Sequence, residues 1–352
     1  MSRTSRSAQF AGRWALSIAL GVLLLAWTLR AMVQEIALEA PGESPWALLW
    51  RAFQDVTWST VLVYSLLFGL SHAFKVWRWM IQLRAVGVQR VRDAMHASLL
   101  GLAAVAILPL RLGELVRPML IQRGGEISYT TALATTVVER VIDGLIVCAL
   151  LFAALQLAPY GGDALITTAA VAALVLFVGV SVAIAGFQWF PGVVARSLEW
   201  TVGRVAPRLS SFLLRLLREF QQGVGALRGH RSLGLYVLGC VGYWGLNGGA
   251  LAYWLTQFGF PMGVWVGLSV VAVLIIGIML PSGPGFLGNF QVFLLAGVAM
   301  WLPESMRGEG AANVMAAAIS LNLLQILLQL GFALPSMRWL HAKKANGDEL
   351  RN

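Results

Sequence analysis

The chain has 352 residues, 58% of them hydrophobic and 12% charged, with a net charge of +10 and a mean hydropathy of +0.75. A soluble domain carries roughly 25% charged residues and would have nowhere to bury this much apolar surface. A soluble enzyme, a disordered chain and a nucleic-acid-binding domain are excluded, which leaves a polytopic membrane protein.

A membrane helix needs roughly 20 mainly apolar residues. The first such stretch, 14–33, follows a basic start with Arg3, Arg6 and Arg13. It is too long for a signal-peptide core and no small-x-small cleavage site follows, so it is expected to remain as an anchor. Further spans are expected over 56–74, 141–158, 164–187, 232–256 and 311–334. Four shorter or interrupted apolar segments, 94–109, 112–136, 262–280 and 286–302, are expected to form two pairs, each returning to its own side. The fold class is an all-α, polytopic integral membrane helical bundle with two broken or re-entrant helix pairs. A tail over 1–13, a transmembrane domain over 14–334 and a tail over 335–352 complete the layout.

With the N-terminus inside, 23 of the 26 Lys and Arg residues fall on the inner side. Only Arg30, Arg51 and Arg307 fall near outer segments. This bias predicts cytoplasmic termini and explains the net charge without nucleic acid. The insert over 188–231 holds an amphipathic stretch. Leu209, Phe212, Leu213, Leu216, Leu217 and Phe220 oppose Arg208, Arg215 and Arg218. It is expected to lie on the inner leaflet with its arginines facing anionic headgroups. Lys75 to Arg92 reads similarly, with Trp77 and Trp79 at interfacial depth and His72, Lys75 and Arg78 on one helical face.

The broken pairs share a pattern. Leu108-Pro109 to Gly113 and Leu280-Pro281 to Gly285 both read Leu-Pro-x-x-x-Gly after an apolar run too short to cross comfortably. Pro/Gly-interrupted segments in corresponding places are either plain Pro-kinked spans with no symmetry or an inverted repeat with a binding site where the broken helices meet. Pro109, Gly113, Pro281, Gly283, Pro284, Gly285, Gly288 and Asn289 are therefore candidates for a re-entrant loop or hinge.

Charge accompanies the first pair. Arg111, Glu114 and Arg117 are spaced by three, Glu139 and Asp143 by four, and Arg140 and Asp143 by three. An isolated charge in a bilayer costs from ~2.5 to over 10 kcal/mol by different methods. These six residues sum to zero, which makes them tolerable as a set. They either pin helices together or line a polar cavity in which arginines hold an anionic headgroup and carboxylates orient them. Lys75 and Arg78 either stand at the interface or help a headgroup in. His96 is expected to be a paired helix residue rather than a proton carrier, and Asn247, Asn322, Gln325 and Gln329 to be interhelical glue or cavity lining, glue being the preferred reading. Cys148 and Cys240 lie in apolar runs and are read as small core residues. No Walker motif, metal-ligand cluster or nucleophile elbow is present, so no catalytic residue, metal or cofactor is expected.

Pro109-Leu-Arg-Leu-Gly-Glu-Leu-Val-Arg117, Val138-Glu-Arg-Val-Ile-Asp143 and Pro284-Gly-Phe-Leu-Gly288 together resemble the lysylphosphatidylglycerol synthase transmembrane-region family, also called flippase-like or UPF0104 proteins. The likeness in layout runs over roughly 14–334. It implies a bacterial or archaeal inner-membrane protein of the lipid-flippase type. In the fused synthases a separate soluble domain makes the aminoacylated lipid, and the 18 residues after Leu334 are too few for one. Synthase chemistry is therefore not expected. The family commonly reads P-G-G-L-G-x-x-E late in the chain; Phe286 stands here for the second glycine and Gln291 for the acid.

The expected function is translocation of a lipid or lipid-linked headgroup, anionic or zwitterionic, through a charged intramembrane cavity. Its ligands would be phospholipid, aminoacylated lipid or polyprenyl-phosphate-linked lipid. Two alternatives are a non-transporting partner of a separate synthase or glycosyltransferase, and an integral-membrane transferase acting on a lipid phosphate.

Overall fold

The computed structural model describes residues 3–39, 42–54, 56–88, 90–108, 113–122, 127–160, 164–202, 204, 207–225, 229–280, 283–302 and 308–349. The expectations for Pro109, Arg111 and Pro281 lie outside the described residues. Among those described, the chain forms thirteen α-helices and no strand.

Three helices, α1 (Arg3–Glu39), α2 (Pro45–Gln54) and α3 (Trp58–Ala85), lead into a hairpin of α4 (Val91–Ile107) and α5 (Val116–Gln122). Then come α6 (Tyr129–Leu157), α7 (Ala164–Trp189), α8 (Pro191–Thr201), α9 (Pro207–Val224) and α10 (His230–Thr256). A second hairpin, α11 (Val264–Met279) and α12 (Asn289–Ala299), precedes α13 (Gly308–Glu349). The stretches Trp58–Ala85, Ile166–Ile184 and Glu309–Trp339 are long and apolar enough to cross a bilayer. On α3, Leu62, Leu66 and Leu70 recur every four residues and stay exposed, as do Val171, Val175 and Val182 on α7. Apolar stripes left outside a packed bundle are what lipid contact requires.

The start of α3 is fixed by Thr57, whose hydroxyl accepts from the Thr60 N–H at 3.2 Å. Ser128 does the same for α6 through the Thr131 N–H at 3.1 Å. Each cap satisfies one of the donors a helix N-terminus leaves open. α10 packs antiparallel on α3, since Thr60 meets Gln257 at one end and Arg78 meets Cys240 towards the other. α4 therefore starts at the end where α3 finishes, and α11 at the opposite end.

Both hairpins are re-entrant in form. α4 has 17 residues and α11 has 16. At 1.5 Å per residue each reaches about 25 Å, short of a ~30 Å hydrocarbon core. α5 folds back along α4, and α12 along α11. The first reversal needs Gly113, because a Cβ there would collide with the backbone of Ala104 and Val105. At the second, Gly285 (φ 67°) and Gly288 (φ 82°) adopt left-handed backbone open to glycine at little cost. The turn Pro284–Phe286 packs against α4, so the two hairpins meet inside the bundle.

Several expectations are corrected. The segment 112–136 is two pieces, because α5 ends at Gln122 and α6 begins only at Tyr129. α2 was not foreseen; it buries Leu48, Leu49 and Ala52 and packs against α13. Lys75 to Arg92 is not a surface helix. α3 runs on unbroken to Ala85, and Arg78, Trp79, Gln82 and Leu83 are fully buried. Trp79 is thus a core residue, whereas Trp77 stays partly exposed. α9 packs against α6, where Ser128 donates to Glu219 Oε2 at 2.7 Å, and leaves Leu209 and Phe212 exposed.

Candidate functional site

The helical spacing of α3 puts His72, Lys75, Arg78 and Gln82 on one side, and α6 presents Glu139, Arg140 and Asp143. The first hairpin adds Glu114 and Arg117, and α10 adds Cys240, Tyr243 and Trp244. Arg78 donates to both oxygens of Asp143, at 2.7 and 3.1 Å, and to Cys240 Sγ at 3.1 Å. A two-pronged guanidinium–carboxylate contact of this kind is the geometry that best suits arginine. Arg117 donates to both oxygens of Glu139 at 3.2 Å and lies over the Trp79 ring at 4.2 Å. Arg140 reaches Glu139 at 2.8 Å, Asp143 at 3.3 Å and Glu114 at 3.8 Å.

Arg78 and Glu139 have no solvent exposure, and they face each other at 3.6 Å. Trp79 Nε1 donates to Thr135 at 3.0 Å, and this bond fixes the ring on which Arg117 rests. Trp244 Nε1 donates to Asp143 at 3.3 Å. Tyr243 places its face 4.9 Å from the Arg78 guanidinium and 5.8 Å from Lys75 Nζ. An aromatic face next to a cation lowers the penalty of taking that cation out of water.

A cavity of about 160 Å³, room for about five waters, opens beside this cluster. Lys75, Glu114, Arg117 and Arg140 line one end, and Tyr64, Asn247, Gln325 and Gln329 line other parts of the wall. Both hairpins contribute apolar wall, Val105 from the first and Phe286 and Phe290 from the second. A second cavity of about 440 Å³ shares Glu114, Arg140, Tyr243 and Ile275 with it. Its remaining wall is largely apolar, with Val147, Phe177 and Met279 from α6, α7 and α11.

The tip of the second hairpin is tied by neutral hydrogen bonds. Gln291 Oε1 accepts from the Gly288 N–H at 2.8 Å, and its Nε2 donates to Asn322 Oδ1 at 3.4 Å. Asn322 donates to the Gly285 carbonyl at 2.9 Å, and Asn289 to the Gly277 carbonyl at 3.1 Å. Phe286 has φ 60°, a region that disfavours a side chain. These contacts make Asn289, Gly285 and Gly288 parts of one buttressed turn.

The family model for the lysylphosphatidylglycerol synthase transmembrane region matches residues 14–333. The chain belongs to that family. No curated protein and no solved structure matches the chain. Membership of the lysylphosphatidylglycerol synthase transmembrane-region family makes this an integral membrane protein that acts on membrane lipids. The family's late glycine motif falls on the tip of the second hairpin. Its second glycine would relieve the backbone that Phe286 holds here, and Gln291 stands where the family's acid commonly does.

Glu114, Arg117, Glu139, Arg140, Asp143, Lys75 and Arg78 come together in one cluster. Gly113, Gly283, Pro284, Gly285, Gly288 and Asn289 lie at or beside the two hairpin tips. Arg78 is at the centre of the cluster and not at an interface. Trp79, Cys240, Tyr243 and Trp244 were missed, although Tyr236, Cys240 and Tyr243 at i, i+4 and i+7 mark one polar face in an apolar helix. His96 is paired as expected, with Ser336 at 3.0 Å and the Trp339 ring at 5.1 Å. Asn322 is glue, whereas Asn247, Gln325 and Gln329 line the cavity. Among the described residues no group of His, Cys, Asp and Glu is set to hold a metal ion.

Proposed function

We propose that the chain carries the headgroup of a lipid, or of a lipid-linked compound, from one leaflet to the other. The observation that supports this best is the cavity between the two hairpin tips, charged at one end and continuing along apolar and neutral polar wall. An anionic or zwitterionic headgroup enters at Lys75, Glu114, Arg117 and Arg140. Its chain stays in lipid or in the larger apolar cavity beside α7. The turn at Gly285 and Gly288 and the reversal at Gly113 supply the hinge. Passage down a gradient of lipid needs neither a nucleotide nor a catalytic residue, and we read the chain as a translocator and not an enzyme. We place it in a bacterial or archaeal cytoplasmic membrane with both termini inside, beside a separate enzyme that makes its lipid.

The test is a dithionite-quench assay in proteoliposomes containing acyl-labelled fluorescent lipids. Translocation predicts that dithionite quenches inner-leaflet label at least tenfold faster than in empty vesicles. Rates no faster than in empty vesicles for anionic, zwitterionic and aminoacylated lipids alike would contradict it.

A further inference from the structure

The donors and acceptors around the cavity are unequally engaged. Asp143 accepts two bonds from Arg78 and one from Trp244, and Arg140 Nη2 stands 3.3 Å away. Glu139 takes Arg117 on both oxygens and Arg140 at 2.8 Å, with Arg78 at 3.6 Å. A carboxylate has about four lone-pair positions, so both acids are saturated by the protein's own cations. The remaining acid of the cluster, Glu114, pairs with Arg140 at 3.8 Å.

The cations are not saturated. Lys75 is ion-paired with no carboxylate among the described residues, and its ammonium rests over Tyr243. The Nε–H groups of Arg117 and Arg140 are buried with no acceptor among the described residues. Three cations thus border the cavity against one acid. Further along, the groups are neutral. Tyr64 lies eleven residues before Lys75 on α3, about 16 Å along the helix. It accepts from Gln325 Nε2 at 2.7 Å, and Gln329 Oε1 is a buried acceptor with no donor among the described residues.

We infer that the cavity selects an anionic phosphate ester bearing an uncharged, hydroxyl-rich group, and rejects an aminoacylated, cationic one. This rests on the translocation reading above. The phosphate takes charge-assisted bonds from Lys75, Arg117 and Arg140. The hydroxyls turn towards Gln329 Oε1, whose lack of a donor among the described residues would otherwise be a penalty. A headgroup ammonium meets Lys75, which pairs with no carboxylate among the described residues, and finds the carboxylates beside it already taken by Arg78, Arg117 and Arg140. To reach Asp143 or Glu139 it must displace an arginine and leave that arginine buried without a partner.

The experiment is lipid retention by the purified full chain, read by native mass spectrometry with equimolar phosphatidylglycerol, lysyl-phosphatidylglycerol and phosphatidylcholine. Phosphatidylglycerol is expected to be retained at least fivefold over each of the others. Lys75→Gln is expected to remove that preference and Lys75→Arg to restore it. Lys75 has no ion pair to lose among the described residues, so Lys75→Gln is expected to fold, as checked by elution as a single species. Thermal stabilisation by glycerol 3-phosphate, without lipid retention, would keep the chemistry and assign it to a soluble ester. Equal or greater retention of lysyl-phosphatidylglycerol overturns the inference, as does retention of no lipid with no stabilisation by glycerol phosphate. Retention is read without transport, so selective retention with no flipping would sink translocation alone.

Discussion

Arg78 is a fully buried cation whose guanidinium grips Asp143 with both prongs and stands 3.6 Å from Glu139. Removing one member of a buried pair leaves the other charge uncompensated, at about 3–5 kcal/mol, whereas replacing both with apolar groups is far milder. Arg78→Ala is therefore expected to destabilise by about that amount, and Arg78→Met with Asp143→Leu by clearly less. Thermal unfolding in detergent, followed by loss of the folded elution peak, checks this; equal losses would mean that Arg78 and Asp143 do not depend on each other. The acids on α6 were legible, because spacings of three and four within one helix fix who faces whom. Arg78 was not, because its partners sit 65 and 61 residues away on α6. Only the packing of α3 against α6 and α10 brings them together. Sequence alone offered Arg78 as an interfacial residue or a help to headgroup entry, at the end of a span expected to stop at 74, and could not show its partners.

At the scale of elements, the broken segments were legible from their length and their Pro/Gly content. A helix of 16 or 17 residues that runs into Leu-Pro cannot comfortably cross, and both such helices turn back. The split of 112–136 was written in Arg123-Gly-Gly-Glu126, a charged, glycine-containing stretch that the expected segment ran across. α2 was hidden because ten residues are too few for a periodic signal to stand out. Its buried leucines find their partner only on α13, far along the chain. The reversal at Gly113 gives a direct test of the first hairpin. A Cβ there would strike the backbone of α4, which cannot yield as a side-chain tip can. Gly113→Ala is expected to cost about 1–3 kcal/mol and to slow lipid movement, whereas Gly179→Ala, in open space on α7, should change neither. Unaltered unfolding of Gly113→Ala would show that the close approach of α5 to α4 is not needed.

For the whole molecule, the bundle brings together what the chain keeps apart. Acids and bases from α3, the first hairpin and α6 meet beside a cavity whose wall is completed by hairpins starting from opposite ends. The class of fold was legible because 58% hydrophobic residues leave few alternatives. The cavity was not, since it exists only where α3, α4, α10, α11 and α13 face one another. The most direct test is the flip rate of acyl-labelled phosphatidylglycerol in proteoliposomes carrying wild type, Lys75→Gln, Glu114→Gln or Arg215→Gln. Lys75 and Glu114 line the cavity, and Arg215 lies exposed on α9. The two cavity variants are expected to flip at least tenfold more slowly than wild type at equal reconstitution, with Arg215→Gln unchanged. Full activity in both cavity variants would contradict a headgroup path through this cluster.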